Sequence, residues 1–152
     1  MSNIKTSEIL HPQDWTFPVP IAYGPGRLLE IGEICQRMGI KKPLIVTDSG
    51  SFGLPFMDEL KNYLCKANIS FDVFHKISPN PRDDEIGTGG DAYESGGHDG
   101  IIAIGGGSAM DGGKAICLTA GNGIKIWDFE YRLKPPDMSG KKPFPKLITI
   151  PT

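Results

Sequence analysis

Gly100-Ile101-Ile102-Ala103-Ile104 runs without interruption into Gly105-Gly106-Gly107-Ser108, and an apolar, alanine-rich stretch follows to about Ala120. A short continuous apolar run that stops at turn residues is the pattern of a strand buried on both faces, as in a parallel sheet. Three successive residues without Cβ atoms let backbone N–H groups come close to an anion, and a helix beginning there adds the positive end of its dipole. Strand, glycine loop and helix therefore predict a phosphate or pyrophosphate site, with a tight glycine turn that holds no ligand as the alternative. Neither common phosphate fingerprint fits literally. Met110 stands where GxGxxG needs its third glycine, and Gly113-Lys114 is followed by Ala115, without the hydroxyl of a P-loop. Ser108 and Asp111 have capping-box spacing, and Asp111 is also placed to pair with Lys114 one turn on.

Working outward, Pro43-Leu44-Ile45-Val46-Thr47-Asp48 reads as a second doubly buried strand, and further strands are expected at Leu147-Ile148-Thr149-Ile150 and at residues 70–75. Helical spacing of apolar residues predicts helices over 27–38, capped by Gly39, and over 55–67, with proline in its first turn. Asp83, Asp84 and Glu85 put negative charge on the first turn of another helix that ends before Gly96-Gly97. Residues 1–18 read as an arm leading into an extended segment at 19–23, and 134–143 as a mobile loop of mixed charge. Strand alternating with helix predicts an α/β fold: a Rossmann-like open, mostly parallel sheet with helices on both faces, occupying 19–152. Ligands of such sheets sit beyond the carboxyl ends of the strands, which directs attention to the loops after Asp48, His75 and Ile104.

With 152 residues the chain has room for one domain. Its formal net charge of −2, with no basic block, argues against nucleic acid as a partner. No apolar run reaches the roughly 18 residues of a membrane span, and the polar start lacks a signal-peptide core, so the expected location is the cytoplasm. Cys35, Cys65 and Cys117 are odd in number and far apart, and are expected to be reduced core residues. His11, His75 and His98 lack metal-ligand spacing and are expected at the surface or at strand ends.

The segment Gly105-Gly106-Gly107-Ser108-Ala109-Met110-Asp111-Gly112-Gly113-Lys114-Ala115-Ile116 resembles the GGGSxxDxxKxI segment of iron-containing (group III) alcohol dehydrogenases. Four other landmarks fall in that family's order: Tyr23-Gly24-Pro25-Gly26, Val46-Thr47-Asp48, Pro79-Asn80-Pro81, and Ile148-Thr149-Ile150-Pro151-Thr152. The resemblance implies the family's N-terminal nucleotide-binding domain. Gly106, Gly107 and Ser108 would then meet the cofactor pyrophosphate, Asp48 the adenosine ribose, and Asn80 and Thr152 the remaining edge of the NAD(P) site. A carboxylate at a strand's end can accept from a ribose 2′-OH and repels a 2′-phosphate, which favours NAD over NADP; the other reading of Asp48 is a turn cap before Ser49-Gly50. In the usual dinucleotide motif the acid follows the glycine loop by about 20 residues, whereas here it precedes it.

The same resemblance implies an oxidoreductase interconverting a primary or secondary alcohol and its aldehyde or ketone, with Fe2+ bound by a C-terminal helical domain lying outside these residues. It assigns this chain no catalytic side chain and no metal ligand, so the 152 residues are expected to behave as an inactive cofactor-binding portion that self-associates into a homo-oligomer. Two rivals stay open: a polyol, glycerol-phosphate or dehydroquinate synthase-like enzyme, and a non-catalytic nucleotide-binding or interaction module.

Overall fold

The computed structural model describes residues 13–15, as backbone only, and 19–152. Two short strands, β1 (Gln13–Trp15) and β2 (Ile21–Tyr23), pair antiparallel, so part of the expected arm is a strand. The main sheet is built from β3 (Pro43–Asp48), β4 (Asp72–Ile77), β5 (Gly100–Gly105) and β6 (Lys146–Pro151), all parallel, in the order β4-β3-β5-β6. Helices α1 (Ile31–Met38), α2 (Pro55–Lys66), α3 (Asp83–Ser95) and α4 (Gly107–Thr119) supply the layers on either side.

Alternation along the strands sorts the core into two halves. Ile45, Ile102 and Ile104 face α1 and α2, packing with Ile31, Cys35, Met57, Leu60 and Leu64. Leu44, Val46 and Ile101 face the other way, against Ile86 of α3 and Ile116 and Cys117 of α4. The loop after β3 consequently leads to a helix on one face and the loop after β5 to a helix on the opposite face. Two adjacent parallel strands whose exits diverge in this way leave a crevice at their carboxyl ends, the switch point of the sheet.

α4 lies close against the sheet because glycine replaces side chains along its inner stripe. A Cβ on Gly113 would fall within 3.0 Å of the Ala103 methyl on β5, and one on Gly112 would meet Ile77 Cδ1 at 2.8 Å. Beneath the amino ends of the strands, the Asp99 carboxylate accepts from the N–H groups of Lys41 and Lys42, both at 2.8 Å. His98 is buried there: its Nδ1 donates to Lys42 O at 3.1 Å and its Nε2 lies 3.4 Å from Asp72 Oδ2. His98 is thus buried and no surface residue, but it does stand at a strand end, two residues before β5, with its ring anchored on the Lys42 carbonyl.

Other expectations shift. The helix over 27–38 divides into a 3-10 turn at Arg27–Glu30 followed by α1, and the Arg27 guanidinium grips Glu30 at 2.9 and 2.7 Å across the three-residue spacing that a 3-10 turn aligns. β4 begins two residues later than expected and reaches Ile77, in register with Leu44 at Asp72. Cys65 is exposed, one position past the buried Leu64 and so rotated off the apolar stripe of α2, whereas Cys35 and Cys117 are buried. A second 3-10 turn, Ile126–Phe129, was not indicated by the sequence pattern. Among the described residues no helix is long and apolar enough to cross a membrane. His11 lies outside the described residues.

Candidate nucleotide site at the switch point

β5 delivers Gly105 to the crevice with φ +134, a backbone conformation that L side chains rarely adopt. Space forbids a side chain there as well, since a Cβ would meet Ala109 Cβ at 2.9 Å, Asp48 Oδ2 at 3.1 Å and Ser51 Oγ at 3.2 Å. Asp48 and the glycine turn, 57 positions apart in sequence, are therefore neighbours.

The turn opens directly into α4. Gly106 is the N-cap, extended at φ −71 and ψ −177, and its carbonyl accepts from Met110 N at 3.2 Å. The N–H groups of Gly107, Ser108 and Ala109 belong to the helix end that has no intrahelical acceptor. Gly106 and Gly107 are exposed, and a Cβ built on either would find nothing within 4 Å. Open space stands above a row of helix-end amides, and the helix dipole favours negative charge at that end. The helix starts two residues earlier than capping-box spacing requires, so Ser108 is its second residue and makes no cap; Asp111 instead pairs with Lys114 at 3.2 Å.

Asp48, half-buried at the end of β3, accepts from Ser51 N at 2.9 Å on Oδ1 and from Ser51 Oγ at 2.7 Å on Oδ2. Burial pushes its carboxyl up, but the hydroxyl and N–H of Ser51, with the nearby backbone N–H groups of Asp48 and Gly50, outweigh this and hold it below the usual 3.8. The turn-cap geometry is present, and the carboxylate lies against the glycine turn at the same time. Thr152 reaches the same place through its backbone, donating from N to Gly105 O at 3.3 Å. Asn80 stands apart, exposed in the loop after β4, one strand outward from Asp48, with φ +59. That loop is organised by Glu85, whose Oε2 accepts from Ser78 N and Oγ, each at 3.1 Å, and from Arg82 N at 3.2 Å.

Two contributors escaped the reading of the sequence. Ser51 was one residue of a turn-rich stretch and Glu85 one of three first-turn acids, although Asp48-x-x-Ser51 has the spacing of a side-chain-to-backbone turn. The order of acid and glycines, unusual along the chain, is resolved by the sheet: β3 and β5 are adjacent, so lateral pairing does what sequence spacing does in the usual motif.

Parallel sheet, diverging loops and a helix-end glycine turn define a Rossmann-like α/β layer. The sequence profile of the iron-containing alcohol dehydrogenases matches residues 18–152. Choline dehydrogenase of Bacillus subtilis (strain 168) is 32% identical over 154 residues, covering 99% of this chain and 37% of the relative. NAD-dependent methanol dehydrogenase of Bacillus methanolicus is 34% identical over 113 residues, covering 74% of this chain and 30% of the relative. Among solved structures, sulfoacetaldehyde reductase from Bifidobacterium kashiwanohense in complex with NAD+ superposes with a TM-score of 0.71 at 26% identity, covering 84% of this chain and 32% of that one. A 1,3-propanediol oxidoreductase gives 0.69 at 29% identity, covering 85% and 32%.

The chain belongs to the iron-containing alcohol dehydrogenase family, a family of oxidoreductases, and spans about a third of the length of the relatives it matches. The polyol, glycerol-phosphate and dehydroquinate synthase readings gain no support from these relatives. Among the described residues, no group of three His, Cys, Asp or Glu side chains could hold a metal ion.

Proposed function

We propose that this chain is the NAD-binding portion of an iron-dependent dehydrogenase that interconverts a small primary or secondary alcohol and its carbonyl partner. The observation that carries this is the juxtaposition at the switch point: exposed amides of Gly106 and Gly107 at the end of α4, beside the Asp48 carboxylate. The cradle fits a dinucleotide on physical grounds. A pyrophosphate would occupy the open space above Gly106, Gly107 and Ser108, where amide donors and the helix dipole offset its charge. The remaining acceptor sites of Asp48 would take ribose hydroxyls, and Thr152 and Asn80 would border the two flanks.

Bound NAD would supply hydride acceptance. The part played by these 152 residues is to bind and orient the dinucleotide. NAD dependence in the methanol dehydrogenase and the NAD+ complex of the sulfoacetaldehyde reductase support the same coenzyme for this chain.

Parallel titration of the chain with NADH and NADPH, followed by fluorescence of the exposed Trp127 and by calorimetry, tests the reading. NADH should bind more tightly. A side chain on Gly107 points into open space, so Gly107→Val should unfold at the wild-type temperature yet lose binding, and Asp48→Ala should weaken NADH. A folded chain that binds neither coenzyme would overturn the proposal.

A further inference from the structure

The carboxylate expected to read the ribose is held by a residue that nothing above has given a role in binding. We infer that Ser51 is a positioning residue that fixes Asp48 where it selects an unphosphorylated ribose, an inference that rests on the coenzyme reading just given. An aspartate at a strand end has two side-chain torsions free to turn. Ser51 engages both oxygens at once, its N–H on Oδ1 at 2.9 Å and its hydroxyl on Oδ2 at 2.7 Å, and this two-point grip stops both rotations. An ionised carboxylate has about four acceptor sites, and Ser51 takes one on each oxygen, so the group is held still while each oxygen keeps a lone pair that a ribose hydroxyl would share with the nearby backbone N–H groups.

Ser51 is itself held. Its residue is buried, Leu54 N donates to its carbonyl at 3.0 Å, and Phe52 N donates to Asp48 O at 3.1 Å. The Phe52 ring stacks on His75 of β4 with centroids 4.1 Å apart and lies beneath Lys61 Nζ of α2 at 5.0 Å. The loop is therefore fastened to a strand and a helix on either side of the serine. A carboxylate so fixed cannot swing aside, and the 2′-phosphate of NADPH would meet its full charge. Released from the hydroxyl, it can rotate away and admit the phosphate. The signature of Ser51 is thus a changed ratio of the two affinities.

The experiment measures NADH and NADPH dissociation constants for wild type, Ser51→Ala, Ser51→Cys and Ser51→Thr, with thermal unfolding of each. Ser51→Ala and the nearly isosteric Ser51→Cys should each lower the preference for NADH by about tenfold, the scale of one hydrogen bond to a charged group, and Ser51→Thr should restore it. Should Ser51→Ala fail to fold, Ser51→Cys carries the same test. If Ser51→Ala or Ser51→Cys is folded and keeps the wild-type ratio, or weakens both coenzymes equally, the positioning role is wrong while the coenzyme reading stands. If wild type binds neither coenzyme, the coenzyme reading itself fails.

Discussion

Gly113 can be replaced by alanine to ask whether the depth of α4 is set by close contact. The new methyl would fall within 3.0 Å of the Ala103 Cβ on the central strand β5, and because both Cβ atoms are fixed by the backbone, no rotamer change relieves the overlap. Overpacking a tight core costs about 1–3 kcal/mol, and this geometry belongs at the upper end. Alanine in place of glycine in a helix interior returns about 1 kcal/mol. The net expectation is a loss of about 2 kcal/mol, which for a chain of this size lowers Tm by about 4–8 °C. The same change at Gly87 on α3, where a Cβ finds nothing within 4 Å, should instead stabilise by about 1 kcal/mol. Urea and thermal unfolding followed by circular dichroism compare the two directly. Adding Ala103→Gly to Gly113→Ala removes the opposing methyl and should leave the double variant more stable than the sum of the single changes. A Gly113→Ala protein as stable as the Gly87→Ala protein, or a cycle without coupling, would refute the reasoning.

The thiols and one exposed carboxylate give independent checks. Burial, with the neighbouring Asp99 charge, pushes the Cys35 thiol up to about 11, and burial also raises Cys117, whereas Cys65 is exposed. An aromatic disulfide reagent at pH 8 should therefore label one thiol quickly in the native chain and three after denaturation; rapid labelling of all three would contradict the packing. At the start of α3, Trp127 Nε1 donates to Asp83 Oδ2 at 2.9 Å and, as the largest cause, lowers that carboxyl below 3.8. A lowered folded-state value means the contact stabilises the fold above about pH 4 and is lost as pH falls through the lowered value. NMR titration should show Asp83 moving up in Trp127→Phe, and an unmoved midpoint would discount the hydrogen bond.

Much of the architecture was legible because the chemistry is local. Pro43 to Val46 and Gly100 to Ile104 are short unbroken apolar runs followed closely by turn residues, the pattern of a doubly buried strand, and both lie in the sheet's centre. β4 is an edge strand with mixed burial, so the apolar signal that marks the central strands is blurred there and its start was misplaced. The 3-10 turn that opens the helix after Gly26 is marked only by one arginine–glutamate grip, and His98 is buried among partners 26 and 56 positions away. The site divides the same way. Its glycines announced themselves, while the contact between Asp48 and Gly105 arises from pairing of strands far apart in sequence; the Ser51 contact to Asp48 is local, and it gains a bearing on the glycine turn only once that pairing brings Asp48 there.

The glycine turn between β5 and α4 presents amides where another protein might present side chains. Apart from a change to proline, no point mutation removes a main-chain donor, so the grip on a diphosphate would be nearly the same whatever the rest of the coenzyme carries. Adaptation of such a site to a new coenzyme has only its margins to work on, and here the nearest margin is the four-residue reach from Asp48 to Ser51. A redesign of coenzyme choice in this chain would accordingly be a problem of one short loop, with the diphosphate cradle left untouched.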